Sequence, residues 1–352
     1  MNILFHLGHP AHFHLFKNVI FNLRSRGDKV LVVIKKKDVL EELLKATDIE
    51  YLNILPDGRK DGKLHVAIGQ LKQDLKLWQV CLKFKPDLLA GTSVAISHVG
   101  KFLGIPSINV NEDDAEIVPL YAKLAYPWAT RIIAPEVCSV GKWENKKVPY
   151  KGYHELAYLH PNHFTPSEEI ASKYLNTKEK YFILRFAKLT AHHDDGIKGI
   201  TNTIALKIID ILSKHGKVFI TSERELGQEL EPYRLAVKPI DMHHVMAFTE
   251  LYIGDSQTMA AEAGVLGIPF IRFNDFVGKI SYLKQLEEKY KLGYGIRPAD
   301  EAAMYEKVSE ILSLPNLKAT FQQRRTEMLN DCIDLAEFLT DYIINYSLPN
   351  KK

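Results

Sequence analysis

The sequence predicts an α/β protein of two doubly wound halves, and two observations carry that prediction. Short apolar, β-branched runs alternate with segments of helical spacing, beginning with a strand at 2–7 and a helix at 13–26. The alternation pauses once, in a stretch at 149–166 that is rich in Pro, Gly, Tyr, His and Asn, and then resumes. Because alternating strands and helices form parallel βαβ units, each half is expected to be an open parallel sheet covered on both faces.

In the first half, the predicted helices carry apolar residues on one face. The first one repeats them at Phe13, Phe16 and Ile20 and stops at Gly27. The predicted strands are 2–7, 29–34, 51–55, 88–91, 107–110, 131–134 and one near Val148. The predicted helices are 13–26, 39–45, 65–84, 95–103 and 116–126.

The second half repeats the same alternation. Its predicted strands are 181–186, 217–221, 236–237, 251–253 and 269–272. Its predicted helices are 201–215, 226–230, 243–248, 258–266, 279–289, 301–312 and an interrupted one at 316–346. We therefore expect a Rossmann-like domain over 1–160, a second over 161–335, and a last helix, 336–352, that packs back on the first.

Composition and charge exclude several classes of protein. The 352 residues are 46% hydrophobic and 25% charged, which excludes a disordered chain. The three cysteines are odd in number and far apart, so a disulfide framework is not expected. A net charge of +3 is too small to indicate nucleic acid as the partner. With no signal peptide and no membrane-spanning run recognised, we expect a cytoplasmic protein, with contact to the inner membrane face left open.

The strongest local signal is the segment 254–269, which follows a strand and opens a helix. Small and hydroxyl residues at Ser256, Gln257 and Thr258 would let backbone N–H groups approach a phosphate, and the helix dipole favours an anion there. Glu262 follows Thr258 by one turn, on the same helix face, and could accept hydrogen bonds from ribose hydroxyls. The alternative is an ordinary N-cap followed by a solvated glutamate.

This segment resembles the sugar-nucleotide signature of GT-B-type proteins, including the peptidoglycan N-acetylglucosaminyltransferase and the non-hydrolysing UDP-N-acetylglucosamine 2-epimerases. Ser256 stands at the Ser position, Glu262 at the ribose-binding Glu position, and residues 266–269 form the closing Leu-Gly-x-Pro. The match departs at Gln257 and Thr258, where the epimerases carry Gly-Gly. The resemblance implies two Rossmann-like domains facing a central cleft, with a UDP-linked sugar held by the C-terminal one.

Nearly the whole chain resembles the domain of unknown function 354 family, which is itself regarded as GT-B-like. The residues that carry this likeness are His9-Pro10-Ala11-His12, Gly152-Tyr153-His154-Glu155, and Arg185-Phe186 followed by Ala191-His192-His193-Asp194.

The loop after the first strand holds His9, His12 and His14 within six residues. A histidine at a strand's carboxyl end could act as general base for a sugar hydroxyl, and by the resemblance His12 is the first candidate and His9 the second. Helix capping and packing are the alternative. A carboxylate among residues 112–114, with Asp113 chosen, is a further candidate base; it could equally be the acidic start of a helix.

Polar residues also follow strands of the second half. Arg185 ends a strand and could hold a diphosphate bidentately. By the resemblance, Ser222, Glu223 and His244 surround the nucleotide, with helix capping as the alternative. The polar loop after Arg185 contains adjacent histidines at 192–193, which rarely chelate one ion together, so no metal site is expected.

An apolar segment with Tyr121, Tyr126, Trp128, Lys123 and Arg131 allows contact with a membrane interface. An ordinary core helix is the favoured interpretation.

Three functions remain. The first is a metal-independent glycosyltransferase that moves a sugar from a nucleotide donor to a cell-surface polysaccharide or lipid-linked acceptor, with no other cofactor. The second is a UDP-sugar 2-epimerase, disfavoured because the turn 91–93 is Gly-Thr-Ser where the epimerases place an Asp; Glu112 could partly compensate. The third is a non-catalytic nucleotide-sugar-binding protein.

Overall fold

The computed structural model describes residues 1–56, 63–187 and 199–347. The chain divides into two compact units. The first comprises Met1–Tyr158 together with the C-terminal segment from Ile333, and the second comprises Leu159–Cys332. No helix in the described residues is long and apolar enough to cross a membrane.

The first unit contains one parallel sheet covered by helices. Its strands are β1 (Asn2–Leu7), β2 (Lys29–Lys35), β3 (Tyr51–Leu55), β4 (Leu88–Gly91), β5 (Ser107–Val110), β6 (Arg131–Pro135) and β7 (Lys147–Tyr150). Its helices are α1 (Pro10–Ser25), α2 (Leu40–Ala46), α3 (Lys63–Phe84), α4 (Val94–Leu103), α5 (Pro119–Ala125) and, from the C-terminal segment, α13 (Leu335–Ser347).

The strand order in this sheet is β3-β2-β1-β4-β5-β6-β7. The order reverses between β1 and β4, which lie side by side with His6 opposite Gly91. Such a reversal opens a crevice at the carboxyl ends of the two strands, where α/β proteins bind ligands. The loops after Leu7 and after Gly91 therefore flank the natural binding position of this unit.

Helix α13 packs within the first unit although it closes the chain. Asn22 on α1 donates a hydrogen bond to the Thr340 hydroxyl at 3.3 Å. The backbone N–H of Ile333 donates to the Lys151 carbonyl at 3.0 Å. The rings of Tyr150 and Phe338 lie 6.1 Å apart.

The second unit contains a five-stranded parallel sheet of order β12-β11-β10-β8-β9. Its strands are β8 (Tyr181–Phe186), β9 (Lys217–Ser222), β10 (Leu251–Gly254), β11 (Phe270–Phe273) and β12 (Gly293–Ile296). Its helices are α6 (Glu168–Ala171), α7 (Asn202–Leu212), α8 (Met242–Met246), α9 (Gln257–Val265), α10 (Ser281–Lys284), α11 (Glu301–Ser313) and α12 (Leu317–Asp331). The order reverses between β8 and β10, so the carboxyl ends of these two strands mark the crevice of this unit.

Two predicted elements are wrong, and one strand was missed. The helix at 226–230 is a turn that leads into a 3₁₀ turn at Glu231–Tyr233, because Gly227 and Pro232 disfavour a longer helix. The strand at 236–237 is replaced by a single bridge between Ile220 and Arg234. The missed strand, β12, has two glycines, and pairing with β11 makes it a strand despite low propensity.

Candidate functional site

In the second unit, the turn after β10 begins with a buried carboxylate. Asp255 accepts hydrogen bonds from the backbone N–H of Ala187, at 2.6 Å, and of Ile200, at 3.3 Å. Arg224 lies 3.8 Å from the same carboxylate. Burial raises the pKa of Asp255 to about 6, against the opposing effect of these N–H groups. Asp255 thereby joins the end of β8 to the segment that precedes α7.

Ser256 is the N-cap of α9, and its hydroxyl accepts a hydrogen bond from the backbone N–H of Met259 at 3.4 Å. Gln257 and Thr258 are the first two helical residues, both half-buried. The N-terminal end of an α-helix presents backbone N–H groups and a positive partial charge. The predicted turn therefore has the backbone of an anion site, with the Ser256 side chain used for capping.

Arg185 is the next-to-last residue of the neighbouring strand, β8, and lies opposite Gly254 in the register of β8 and β10. Its guanidinium pairs with the half-exposed Glu223. Its Nε is buried and has no hydrogen-bond partner within the described residues. Because a buried N–H without a partner is costly, this donor is positioned for a ligand oxygen.

Tyr252 places a second buried polar atom beside Arg185. Its hydroxyl is buried without a partner in the described part of the chain. A Cβ added to Gly254 would come within 2.5 Å of this hydroxyl and 3.0 Å of the Arg185 Cβ. Because Gly254 has no side chain, there is room for the Tyr252 hydroxyl at the carboxyl end of the sheet.

Glu262 is buried, at 5% exposure, and is not the solvated side chain of the alternative interpretation. Its carboxylate lies 2.9 Å from Nε2 of His243 on α8. The neighbouring His244 turns elsewhere: its Nδ1 accepts from the backbone N–H of Ser167 at 3.0 Å, and its ring lies 4.8 Å from that of Phe164. His243, which the sequence pattern does not distinguish from His244, lies beside Glu262.

Ser222 closes a local turn after β9. Its hydroxyl donates to the Arg224 carbonyl at 2.7 Å and accepts from the Arg224 backbone N–H at 3.1 Å. The adjacent Glu223 reaches Arg185, so of these two residues Glu223 is the one joined to the strand-end arginine. The polar loop at 188–195, with the histidines at 192–193, lies outside the described residues.

In the first unit, the loop after β1 holds His9 and His12 on the first turn of α1. His9 is the exposed N-cap, and its Nδ1 accepts from the backbone N–H of Ala11 at 3.2 Å. His12 is half-buried, and its Nδ1 accepts from the backbone N–H of Gly8 at 3.2 Å. Burial, followed by the charges of His9 and Lys35, holds the pKa of His12 well below its usual range. His14 packs against the ring of Tyr158 at 5.1 Å.

Glu112 and His154 form a second polar cluster, and the charge of His154 acts on His12. Nδ1 of His154 lies 3.4 Å from one Glu112 carboxylate oxygen, and the backbone N–H of His154 donates to the other at 3.1 Å. Burial lowers the pKa of His154 to about 3. Its Nε2 is buried and without a hydrogen-bond partner among the residues described.

Asp113, the chosen carboxylate, lies instead near two tyrosines. The negative charge of Asp113 contributes to raising the pKa of both Tyr121 and Tyr126, after the larger effect of burial. The Tyr121 hydroxyl donates to Asn109, and the Asn111 amide donates to the Tyr126 hydroxyl at 2.8 Å. Glu112, its neighbour, is the carboxylate that contacts His154.

The turn at 91–93 is occupied by structural contacts. The Ser93 hydroxyl caps α4 and lies 2.5 Å from Nδ1 of His6, while Gln73 lies 3.1 Å from Nε2 of the same ring. Burial, followed by the charge of Lys35, lowers the pKa of His6 to about 3. No group of three or more His, Cys, Asp or Glu side chains that could hold a metal ion occurs in the described residues.

Comparison with known proteins gives the family. The model of the family described as "Protein of unknown function (DUF354)" matches residues 1–344. The chain belongs to this family. Among curated proteins, no sequence match was found.

Solved structures similar to this DUF354 member include UDP-GlcNAc 2-epimerases and glycosyltransferases. One is the UDP-GlcNAc 2-epimerase from Neisseria meningitidis bound to UDP-GlcNAc, with 14% identity, 99% of each chain covered and a TM-score of 0.67. Another is MnaA of S. aureus in complex with UDP, with 14% identity, 98% of this chain and 96% of that one covered, and a TM-score of 0.69. A third is CalG4, the calicheamicin glycosyltransferase, with 12% identity, 100% of this chain and 99% of that one covered, and a TM-score of 0.61. The predicted fold class, α/β of GT-B type with two Rossmann-like domains, is confirmed.

Proposed function

We propose that the protein is a sugar-nucleotide-dependent glycosyltransferase that works without a metal ion or other cofactor and passes a sugar to a cell-surface polysaccharide or lipid-linked acceptor. The single observation that supports it most is the group at the carboxyl ends of β8 and β10. There the buried Nε of Arg185 and the buried hydroxyl of Tyr252 lie near the helix start that Ser256 caps.

In this proposal the donor diphosphate binds at the N-terminus of α9. Backbone N–H groups near Gln257 and Thr258 and the Arg185 guanidinium would stabilise the charge that develops on the leaving phosphate. Glu262 would accept hydrogen bonds from the ribose, held in orientation by His243 at 2.9 Å. Glu223, Ser222 and His244 remain candidates for contact with the nucleotide.

The first unit would supply the base for the acceptor hydroxyl. Because the Gly8 N–H donates to Nδ1 of His12, neutral His12 carries its proton on Nε2 and is a hydrogen-bond donor there. His154 has the opposite arrangement, since a proton on Nδ1 faces Glu112 and leaves Nε2 as an acceptor. We therefore assign proton abstraction to His154, and to His12 the binding of a substrate oxygen, with Asp113 and His9 as the less favoured bases.

A 2-epimerase is the second candidate function. The observation that favours it is the Glu112 carboxylate, which contacts a histidine in the first unit and could take part in elimination and re-addition of UDP. The turn at 91–93 weighs against it, because Ser93 there caps a helix and contacts His6.

A panel of UDP-, GDP- and CDP-sugars tests these functions. Nucleotide release that rises with a polysaccharide or lipid-linked acceptor supports transfer, whereas a new epimer without net nucleotide release supports epimerisation. Binding without turnover supports a non-catalytic role. Arg185→Gln should weaken UDP binding by about tenfold or more, since charge-assisted hydrogen bonds contribute about 1.5–3 kcal/mol. Arg234→Gln is the matched control, because Arg234 pairs with Glu231 on the surface. Equal UDP affinity in the two variants would contradict the proposed phosphate site.

A further inference from the structure

The exposed apolar side chains of the described residues are concentrated on one side of the first unit. Eight of the twelve large hydrophobic residues that are more than a third exposed lie on α3, on α4, on α5 or just after α5. They are Ile68, Leu71, Leu75, Leu82, Phe102, Leu120, Leu124 and Trp128. We call this surface the α3–α5 face. Single exposed apolar residues need no explanation, but a contiguous group of this kind indicates a binding surface.

Helix α3 is apolar on two opposite sides. Leu77 and Cys81 are buried in the core of the first unit. Ile68, Leu71, Leu75 and Leu82 recur at spacings of three, four and seven residues, so they form one stripe on the opposite side. The exposure of these four side chains is 44–61%. Core packing accounts for the first side and leaves the outward stripe unexplained.

The three helices form one continuous surface. His98 on α4 bonds to Asp74 on α3 at 2.8 Å and to the Leu124 carbonyl on α5 at 2.9 Å. The ring of Phe102 lies 6.3 Å from that of Trp78 and 5.9 Å from that of Trp128. This row of aromatic rings crosses from α3 over α4 to the end of α5, so the exposed residues act as one surface.

The charge of this face has one sign. The sequences of α3, α4 and α5 contain six lysines and a single acidic residue, Asp74, which is already paired with His98. Lys72, Lys76 and Lys83 are exposed and lie along one edge of the α3 stripe. For comparison, the whole chain has a net charge of only +3. An apolar, aromatic stripe with lysines beside it matches the acyl boundary and anionic headgroups of a lipid bilayer.

We propose that the α3–α5 face docks the protein on the surface of an anionic lipid bilayer. Leu71, Leu75, Phe102 and Trp128 enter the headgroup region, and the lysines contact lipid phosphates. A second copy of this chain is a poorer occupant, because a two-fold interface would bring the same lysines together. This inference does not depend on the proposed sugar transfer, since vesicle binding needs neither donor nor acceptor.

The experiment is flotation of the full chain with vesicles of phosphatidylcholine alone, and of phosphatidylcholine with phosphatidylglycerol in equal amounts. We expect binding to the anionic vesicles that weakens with salt, and a blue shift of tryptophan emission that Trp128→Phe removes. The double variant Leu75→Ser/Phe102→Ser should lose about tenfold or more of the partitioning. Phe21→Ser/Leu206→Ser is its matched control, because these exposed residues lie on α1 and α7.

Charge is tested in the same way. Lys72→Gln/Lys76→Gln should weaken binding to anionic vesicles several-fold more than Lys173→Gln/Lys180→Gln, which removes two exposed lysines from the second unit. Failure of the wild-type protein to float with anionic vesicles would overturn the proposal, and so would equal partitioning of both serine double variants. A dimer in sedimentation that only Leu75→Ser/Phe102→Ser dissociates, without vesicle binding, would assign the face to a second copy instead.

Discussion

His154 and Glu112 contact each other twice, once through the imidazole Nδ1 at 3.4 Å and once through the backbone N–H of His154 at 3.1 Å. The two contacts join the loop after β5 to the 3₁₀ turn at His154–Ala157, 42 residues further along the chain. They hold the imidazole in one orientation and one tautomer, with Nε2 as the acceptor. Nε2 held in this way can accept a hydrogen bond from a substrate hydroxyl, and because burial lowers the pKa of His154 to about 3, proton transfer would depend on the Glu112 carboxylate stabilising the imidazolium that forms.

If His154 is the base, His154→Gln should lower turnover by about 10²–10⁴-fold, the usual contribution of a positioned base. Nucleotide affinity should stay unchanged, because His154 belongs to the unit that does not hold the donor in this proposal. Steady-state turnover and UDP binding by calorimetry measure the two effects, and His215→Gln, an exposed histidine, is the control. Glu112→Gln should reproduce part of the loss of turnover. If His154→Gln turned over as fast as the wild-type protein, His154 would have no part in the mechanism.

Glu262→Gln keeps the size of the side chain but removes the charge that faces His243. We expect UDP affinity to fall by about tenfold, which corresponds to about 1.4 kcal/mol, because an amide accepts ribose hydrogen bonds less strongly than a carboxylate. The matched control is Glu250→Gln, since Glu250 is also shielded and pairs with Lys318 at 2.8 Å, but lies at the opposite end of β10. Calorimetric titration with UDP decides; unchanged affinity in Glu262→Gln would exclude the ribose role.

Asp255 should make stability depend on pH in the acid range. Its pKa is raised from the ordinary 3.8 to about 6 in the folded protein. The folded state therefore binds a proton at a pH where the unfolded chain does not, so the free energy of unfolding rises as pH falls from about 6 towards 3.8. Relative to that of Asp255→Asn, the free energy of unfolding of the wild-type protein should rise by about 1 kcal/mol when the pH is lowered from about 7 to about 5.

Urea unfolding at the two pH values measures that gain. Asp210→Asn is the control, because Asp210 is exposed and pairs with Lys214 on the surface of α7. If the difference in free energy of unfolding between the wild-type protein and Asp255→Asn became smaller at the lower pH, the raised pKa of Asp255 would be contradicted.

Gly91 should tolerate no side chain at the point where β4 meets β1. Its φ is +153°, and an added Cβ would lie 2.5 Å from the carbonyl oxygen of His6. We expect Gly91→Ala to lower the free energy of unfolding by more than about 2 kcal/mol through backbone strain and displacement of β1. Gly104→Ala, also at positive φ but with open space around the added Cβ, should cost only about 1 kcal/mol. Chemical denaturation of both variants tests this; equal losses would show that close packing at Gly91 contributes nothing.

Most of the fold was predictable because its signals are local. Strands such as Asn2–Leu7 and Tyr181–Phe186 were predicted at their observed bounds, since buried parallel strands are continuous apolar runs. The failures lie where tertiary contacts outweigh propensity. Gly293–Ile296 becomes a strand by pairing with β11, and the residues around Ala236 lack the continuous partner that a strand needs.

The candidate site was predictable only in part. Arg185 and Ser256 could be selected because they lie at a strand's carboxyl end, and Glu262 because it follows Thr258 by one turn of the helix. His243 was missed, since a histidine beside a chosen neighbour carries no sequence signal that tells which of the two faces inward. His154 lies in a segment that carries the family likeness, but nothing in the sequence places it beside Glu112, which lies 42 residues earlier. Asp255 did have a signal, as a carboxylate directly after a buried strand.

The sequence by itself determined the alternation of strands and helices, the family, and a helix start within 256–258, because these depend on local periodicity, capping and motif. Only the tertiary structure decided which of two adjacent side chains meets a given partner: Glu112 pairs with His154, and His243 pairs with Glu262 while His244 accepts from Ser167. The physical reason is that neighbouring residues in a loop or on a helix point in different directions. Which direction is buried depends on what distant segments pack against it.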